Sequence, residues 1–597
     1  MSTVKRGLTR KPTKNRPAAQ AEILPTGVEA DVQAVAEAAQ TSPSPESNKT
    51  TGVAPNKSTT LVTDGNALRL IPIEVFDSQS YIEANPDVAR AVKAGEFASV
   101  YEHYCLHGAA EGRPLRVDVI GADMPVVYEY PPDHAQEGTL RSAVDLLALS
   151  VDGGIFIVGW ADDTAAAMST VRLSGNGWHV DLAAQAFIRL RRPDVEAALG
   201  TSAPYCYGFC GLFHFAWKQF SDTNVTVELR TAQGIGHALS VTSRLVGNLE
   251  LRDMALSHLA TTTFYGNPDV ERMLRLASGY GAQAAALNRS ITREMVASPY
   301  VERFCDNRRR YKGSIVVCLY GKSEFYFLQH ALYGGLPGIE DYEFVYVCNS
   351  PEISERLLRD AHTARLIYGL PSTVIVLAGN AGFGAANNVA VNHSRSDRAL
   401  IVNPDVFPRR RDWAAQHTRL LNDLPDEQTK IFGSTLYYDD GSLMHGGMYF
   451  ESDTALTITG DSPKPTSMLR VEHYGKGAPT SVQTYRVSRP VPAVTGAFIS
   501  IDRAWYEKLG GFTEDFVFGH YEDADLCLKS LERGYPSWIH DLDLWHLEGK
   551  GSTRKLPHEG GSAVNRWLFA QKWGRFLEQG MIGREPSHPL LAGRGAV

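Results

Sequence analysis

Continuous apolar runs alternate with stretches of helical spacing in the second half of the chain. Three such runs cover residues 314–320, 342–348 and 373–377, and a helical pattern follows each of the first two. An uninterrupted apolar run is typical of a strand covered on both faces, and strand–helix alternation predicts parallel βαβ units. We therefore expect an α/β domain over 313–597 with a mostly parallel sheet, whose ligands bind beyond the carboxyl ends of its strands.

Upstream of this domain the hydrophobic pattern differs from one segment to the next. Residues 138–250 contain short apolar runs bounded by turn residues, and residues 225–230 alternate apolar and polar side chains as a half-buried strand does. This predicts a β-sandwich accessory domain, followed by a helical connector over 251–312. Apolar positions at helical spacing predict a small helical module over 67–120. Residues 1–66 lack aromatic side chains and predict a disordered tail.

Composition and charge narrow the class of protein. The 597 residues include 59 Lys+Arg and 67 Asp+Glu, a net charge of −8. This balance gives no global basic field for a phosphate backbone, so we expect no nucleic-acid partner. No apolar run approaches the roughly 18 residues that cross a bilayer, and no apolar segment follows the basic N-terminus. We expect a cytoplasmic protein with reduced cysteines, although an organellar transit peptide stays open.

Polar residues and glycines cluster where the predicted strands end. The clusters are Tyr320-Gly321, Asn349-Ser350-Pro351-Glu352, the glycine-rich stretch 379–388, Asn403-Pro404-Asp405, Thr495-Gly496-Ala497, the acidic run 522–525 and His546. Glycines before a helix allow backbone N–H groups to approach a phosphate, although a plain helix-entry turn would look the same. Residues 444–447 (Met-His-Gly-Gly) are expected in a loop on the far side of the same site.

In this order and spacing the clusters resemble an inverting family-2-type glycosyltransferase with the Rossmann-like GT-A fold, in its rhamnosyltransferase-like branch. The resemblance covers 314 to about 552 and rests on N-x-G-F-G-x-x-N-N, N-P-D and E-D-x-D-L-C-L as an ordered set. It implies transfer of a sugar from a UDP-, dTDP- or GDP-linked donor to a hydroxyl of a glycan or lipid-linked acceptor. Synthesis of a bacterial surface polysaccharide or glycoconjugate is the implied setting.

The resemblance also implies roles for individual residues. Asp405 would bind a divalent cation, Mg²⁺ or Mn²⁺, with His546 as a further ligand. Asn403 replaces the first carboxylate of the usual metal motif, so metal affinity is expected to be modest. Asp523 matches the catalytic base that takes the proton of the acceptor hydroxyl.

The other implied site residues divide between donor and acceptor. A nucleotide pocket is implied at Tyr320, Asn349, Glu352, Asn380, Gly382, Asn387, Asn403 and Lys550. Contacts to the donor sugar or acceptor are implied at Gly496, Glu522 and Asp525. Acidic residues in a first helical turn are also favourable through the helix dipole alone, which is the preferred explanation for Asp525.

Alternatives to this interpretation are kept. A sugar-nucleotide pyrophosphorylase would need a basic glycine-rich loop directly after the first strand, and Tyr320-Gly321-Lys322 is too short. The second alternative is a non-catalytic glycan-binding or scaffold protein with an inert domain. The joint presence of Asp405, Asp523 and His546 argues against it. The amphipathic stretch 563–580 would lie on the inner membrane face or, as we favour, pack on the catalytic domain. A homo-oligomer stays open.

Overall fold

The computed structural model of the chain covers ten segments. They are residues 70–71, 73–116, 140–201, 204–215, 218–265, 268–277, 279–305, 310–459, 462–551 and 555–591. The tail predicted over 1–66 lies outside the described residues. In these segments no helix is both long and apolar enough to cross a membrane.

The helical module is a small aromatic cluster on three short helices. The helices are α1 (Ser78–Ala84), α2 (Pro86–Lys93) and α3 (Val100–His103). Proline at the first position of α2 presets φ for a helix. The module is anchored by Arg116, whose guanidinium donates to Oε1 of Glu532 at 2.8 Å and lies 4.5 Å from the ring of Trp573. Both charged side chains of this ion pair are buried, so the contact joins the module to the α/β domain.

Two mostly antiparallel β-sheets face each other in the accessory domain. Its strands are β1 (Ser142–Ser150), β2 (Gly154–Ala161), β3 (Met168–Gly175), β4 (Trp178–Ala183), β5 (Ile188–Leu190), β6 (Gly208–His214), β7 (Asn224–Thr231), β8 (Gly236–Thr242) and β9 (Arg244–Val246), with helix α4 (Pro193–Leu199) after β5. The sheet orders are β5-β6-β2-β1-β9 and β4-β3-β7-β8. Their inward side chains, among them Ile155, Ile157, Leu173 and Val227, form one apolar core. This is the sandwich predicted in the fold class.

Three helices connect the sandwich to the sheet of the α/β domain: α5 (Asn248–Thr261), α6 (Pro268–Leu276) and α7 (Tyr280–Val296). The apolar side of α5 is buried through Leu251, Ala255, Leu256 and Leu259. Helix α5 also carries the buried Arg252, whose guanidinium lies 4.4 Å from the ring of Phe518 in the α/β domain. The connector therefore packs directly against the α/β domain.

A mixed sheet forms the centre of the α/β domain. Its strands are β10 (Tyr300–Phe304), β11 (Gly313–Leu319), β12 (Tyr342–Cys348), β13 (Ser372–Val376), β14 (Arg398–Val402), β15 (Val406–Pro408), β16 (Ile431–Tyr437), β17 (Leu443–His445), β20 (Arg489–Val491), β21 (Phe498–Asp502) and β22 (Ser537–His546), and a separate hairpin is made by β18 (Met448–Thr459) and β19 (Ser462–His473). The order is β10-β13-β12-β11-β14-β21-β16-β22-β15. Strands β13, β12, β11 and β14 are parallel neighbours, and β21 runs antiparallel between β14 and β16. The predicted α/β class is confirmed, with a sheet that is mixed beyond its parallel half.

Helices cover both faces of this sheet. They are α8 (Glu324–Tyr333), α9 (Ser354–Tyr368), α10 (Phe383–Asn392), α11 (Trp413–Asp423), α12 (Asp426–Thr429), α13 (Arg503–Lys508), α14 (Glu522–Glu532) and α15 (Leu556–Leu577). The predicted amphipathic stretch belongs to α15, and its large apolar side chains Trp567, Phe569, Trp573 and Phe576 are buried in the main core. The favoured alternative, packing on the protein, is the arrangement that this helix adopts.

Candidate functional site

A cavity of about 460 Å³ lies where β11, β12 and β14 end. Nine of the residues implied by the sequence line it: Tyr320, Asn349, Asn380, Asn403, Asp405, Gly496, Glu522, Asp523 and His546. The carboxyl ends of parallel strands meet at one edge of a sheet, so segments far apart in sequence converge there. That sheet edge is where the sequence predicted the chemistry.

Asn349 organises the glycine-rich turn before α10. Its Oδ1 accepts from the amide of Ala381 at 2.8 Å, and its Nδ2 donates to Oδ1 of Asn380 at 2.9 Å. The same Oδ1 of Asn380 accepts from the amide of Gly382 at 2.9 Å. Gly382 has φ of +84°, a left-handed conformation that favours glycine. One buried carboxamide therefore fixes the turn that leads into the helix N-terminus.

Asp405 and His546 form a buried pair at one end of the cavity. Strands β15 and β22 are antiparallel here, with Val406 opposite His546. Oδ1 of Asp405 lies 3.5 Å from Nε2 of His546, and Oδ2 accepts from the amides of Gly551 at 2.9 Å and Lys550 at 3.2 Å. Burial alone would raise the pKa of Asp405, but the hydrogen bond and charge of His546 and the Gly551 amide leave it lowered. The carboxylate is held ionised.

The acidic pair Glu522 and Asp523 lies at the start of α14. Oδ2 of Asp523 accepts from the amide of Gly496 at 2.7 Å, and Oδ1 accepts from the amide of Ala524 at 2.8 Å. Oε2 of Glu522 is buried and has no hydrogen-bond partner among the described residues. Burial and the neighbouring charge of Asp523 raise the pKa of Glu522 to about 8. Burial also raises the pKa of Asp523, but the amides of Gly496 and Ala524 oppose that rise. Amide donors stabilise an anion, so of the two carboxyls Asp523 ionises more readily and Glu522 keeps its proton to higher pH.

Asp525 faces away from the cavity. Its Oδ1 lies 2.8 Å from Nζ of Lys572 and accepts from Nε1 of Trp573 at 2.8 Å, while Oδ2 accepts from the Thr513 hydroxyl at 2.6 Å. Burial opposes ionisation, but the charges of Lys572 and Lys529 hold the pKa of Asp525 well below its usual range. The implied sugar contact is therefore corrected, because both oxygens are committed to partners inside the protein.

Four other implied residues are also absent from the cavity wall. Glu352 is exposed on the loop after β12. Gly382 acts through its backbone conformation, and Asn387 is fully buried with Nδ2 bonded to the carbonyl of Phe383 at 2.8 Å. Lys550 is exposed and contributes its amide, while the flanking Gly549 and Gly551 line the cavity. The implied contacts of these four residues to a nucleotide do not follow from their positions.

Several lining residues were missed by sequence reasoning. An aromatic wall is formed by Phe518, His558 and Tyr320, with ring centroids of Phe518 and His558 4.5 Å apart and those of Tyr320 and His558 5.7 Å apart. His558 belongs to α15, beyond the end of the motif-bearing region. His473, the last residue of hairpin strand β19, also lines the cavity. No spacing rule marks either histidine, since both arrive by long-range packing.

The comparisons with known proteins give limited similarity. No protein-family model matches the chain. Over 167 residues it is 28% identical to the uncharacterised protein y4gI of Sinorhizobium fredii (strain NBRC 101917 / NGR234), a match that covers 28% of this chain and 17% of that protein. The chain thus spans about a sixth of the length of this curated relative.

Two solved structures, both of glycosyltransferases, show weak similarity to the chain. The mannosyltransferase PcManGT from Pyrobaculum calidifontis is 13% identical with a TM-score of 0.28, over 54% of this chain and 86% of that chain. GalNAc-T7 is 12% identical with a TM-score of 0.27, over 42% of this chain and 45% of that chain. Likenesses at this level do not decide what this chain binds or does.

Proposed function

We propose that the chain is an inverting glycosyltransferase of the family-2, rhamnosyltransferase-like type, which moves a sugar from a nucleotide-sugar donor to an acceptor hydroxyl. One observation carries the proposal. A single cavity holds a buried carboxylate–imidazole pair, Asp405 and His546, together with a second carboxyl group, Asp523, that accepts from backbone amides. The first pair suits the diphosphate of a donor, and the second carboxylate suits a hydroxyl proton.

A divalent cation fits the Asp405–His546 pair. Octahedral Mg²⁺ binds oxygen at about 2.0–2.1 Å, so two adjacent ligands lie about 3 Å apart, close to the 3.5 Å between Oδ1 and Nε2. Among the described residues no group of three or more His, Cys, Asp or Glu side chains is arranged to hold a metal ion. The remaining ligands would come from diphosphate oxygens and water, an arrangement that Mg²⁺ favours. When bound, the cation neutralises charge on the leaving diphosphate.

Asp523 is proposed as the general base. Its carboxyl group is half-buried and held by two amides, so in its ionised form it is preorganised to accept the proton of a hydroxyl that attacks the anomeric carbon. Because attack comes from the face opposite the leaving diphosphate, the anomeric configuration inverts. Glu522, protonated beside it, donates a hydrogen bond to a sugar oxygen rather than taking a proton.

The substrates are named only by class. The two similar solved structures hold GDP-Man with Mn²⁺, and UDP and GalNAc with Mn²⁺, and we propose a UDP-, dTDP- or GDP-linked donor. A glycan or lipid-linked acceptor, a bacterial polysaccharide or glycoconjugate as product and a cytoplasmic location near the inner membrane face belong to the same proposal. They rest on the motif resemblance alone.

A thermal-shift panel tests the donor site. UDP, dTDP and GDP are each measured with and without Mg²⁺ or Mn²⁺, since a ligand of the folded state alone raises its apparent stability. We expect one nucleotide to raise the melting temperature only with metal, and Asp405→Asn to abolish that rise. Asp412, whose side chain is 45% exposed, supplies the matched control, Asp412→Asn, which should leave the rise unchanged. Absence of any shift in folded protein would favour the scaffold alternative.

A further inference from the structure

Two histidines meet at the base of the hairpin. His445 ends β17 and His473 ends β19, and their Nδ1 atoms lie 2.9 Å apart. His445 is fully buried, whereas His473 lines the cavity near Asp523. Neither residue has a part in the proposed chemistry so far.

The surrounding amides fix which nitrogen of each ring carries a proton. Nε2 of His445 accepts from the amides of Gly447 at 3.2 Å and Thr495 at 3.4 Å, so it carries no hydrogen. The hydrogen of neutral His445 is then on Nδ1, which donates to Nδ1 of His473. Neutral His473 therefore keeps its hydrogen on Nε2.

Both rings stay neutral in this environment. Burial lowers the pKa of His445 and of His473. The charges of Asp523 and Glu548 act to raise the pKa of His473, and those of Lys476 and His546 act to lower it. The Nδ1 edge of His473 is occupied by buried His445, so the Nε2 edge is the one left for the cavity. The dyad thus presents a fixed N–H donor in the cavity that Asp523 also lines.

We propose that His473 binds an acceptor hydroxyl through its Nε2–H, next to the hydroxyl that Asp523 deprotonates, and that His445 positions it. This inference rests on the proposed function and names the acceptor side of its cavity. A sugar with neighbouring hydroxyls fits, because one oxygen accepts from His473 while the adjacent hydroxyl donates to Asp523. The dyad would then help to select which hydroxyl of the acceptor is glycosylated.

Two substitutions at one position separate this role from packing. In His473→Asn the carboxamide keeps an acceptor near the former Nδ1 but loses the donor towards the cavity. In His473→Gln the amide nitrogen reaches the former Nε2 and keeps that donor. We expect His473→Asn to raise the acceptor KM about three- to tenfold, the range for one lost hydrogen bond, with donor KM and nucleotide-induced thermal shift unchanged. His473→Gln should restore acceptor KM to within about twofold of the wild type.

The matched control is His179→Asn, on an exposed position of the accessory sandwich, which should leave both KM values unchanged. Equal acceptor KM for wild type and His473→Asn would overturn the inference, as would loss of nucleotide binding in both variants. If the wild type transfers sugar, the proposed function is still supported after either of these two results.

A second measurement needs no substrate. In ¹⁵N-histidine-labelled protein, two-bond ¹H–¹⁵N spectra report the tautomer of each ring, with the two signals assigned from His473→Asn and His445→Asn. We expect protonated Nδ1 in His445 and protonated Nε2 in His473. The opposite tautomers would overturn the inference, whether or not the wild type transfers sugar. Absence of sugar transfer by the wild type would instead count against the proposed function.

Discussion

The amide of Gly496 donates a hydrogen bond of 2.7 Å to Oδ2 of Asp523. Gly496 lies just before β21 and Asp523 in the first turn of α14, so the bond ties the antiparallel central strand to the helix that carries the proposed base. Burial raises the pKa of Asp523, and the Gly496 and Ala524 amides act against that rise. Backbone groups therefore orient the carboxyl group and oppose the rise in its pKa that burial causes.

Asp523→Asn should remove catalysis and keep binding. A carboxamide oxygen can still accept from the amide of Gly496, but it cannot take a proton at neutral pH. We expect kcat to fall about 10²–10⁴-fold, the usual contribution of a general base, with donor KM within a few-fold. Steady-state kinetics with fixed acceptor measures both values. A variant that retained wild-type kcat would exclude Asp523 as the base.

Glu522→Gln should change how stability depends on pH. The pKa of Glu522 is raised in the folded protein to about 8, so its neutral form is the one that folding favours. Wild-type stability is then fully present below the ordinary pKa of a glutamate and is lost as pH rises through 8. Gln stays neutral, so the variant should lose less stability than the wild type between pH 5 and 8.

Differential scanning fluorimetry over this pH window makes the comparison. We expect the melting temperature of the variant to exceed that of the wild type at pH 8 and to match it near pH 5. The exposed Glu352 provides the control Glu352→Gln, for which the two curves should stay parallel. Parallel curves for Glu522→Gln itself would contradict a protonated Glu522.

Gly551→Ala should disturb the metal end of the cavity without unfolding the protein. A methyl group there would lie 2.9 Å from Oδ1 and 3.0 Å from Cγ of Asp405, closer than such atoms approach in proteins. The carboxylate must move, so the metal-dependent thermal shift with nucleotide should fall. Gly247→Ala, whose methyl group meets nothing within 4 Å, should leave the shift intact. An unchanged shift in Gly551→Ala would argue against metal binding at Asp405.

Asp525→Asn should lower stability rather than remove an essential substrate contact. Asp525 is fully buried between Lys572 and Lys529, and loss of one partner from a buried ion pair costs about 3–5 kcal/mol. Its pKa is lowered by these cations, so its contribution is present above the ordinary aspartate pKa and is lost as pH falls. Thermal unfolding at pH 7 should show the largest deficit, and at pH 3 a smaller one.

Asp412, which forms a partly exposed ion pair with Arg410, again gives the matched control through Asp412→Asn. An equal melting temperature for Asp525→Asn and wild type at pH 7 would show that the cluster contributes little. Loss of donor binding with full stability would restore Asp525 to the substrate site.

Sequence reasoning succeeded where local pattern and topology act together. The apolar run before Asn403 predicts a buried strand, and parallel pairing then sends Asn403 and Tyr320 to the same sheet edge. It failed within a single helical turn. Asp523 and Asp525 are two residues apart, yet one faces the cavity and the other faces Lys572, and no local pattern gives the rotation of α14 about its axis.

The sequence by itself determined the α/β order, the ends of its strands and the acidic groups that gather there, because apolar periodicity fixes the elements and chain direction fixes their ends. Only the tertiary structure decided the meeting of His445 with His473 and the approach of His558 to Tyr320. Such contacts depend on how hairpin and helix pack across long sequence separations. Their free energy is a sum over many weak contacts that no short motif records.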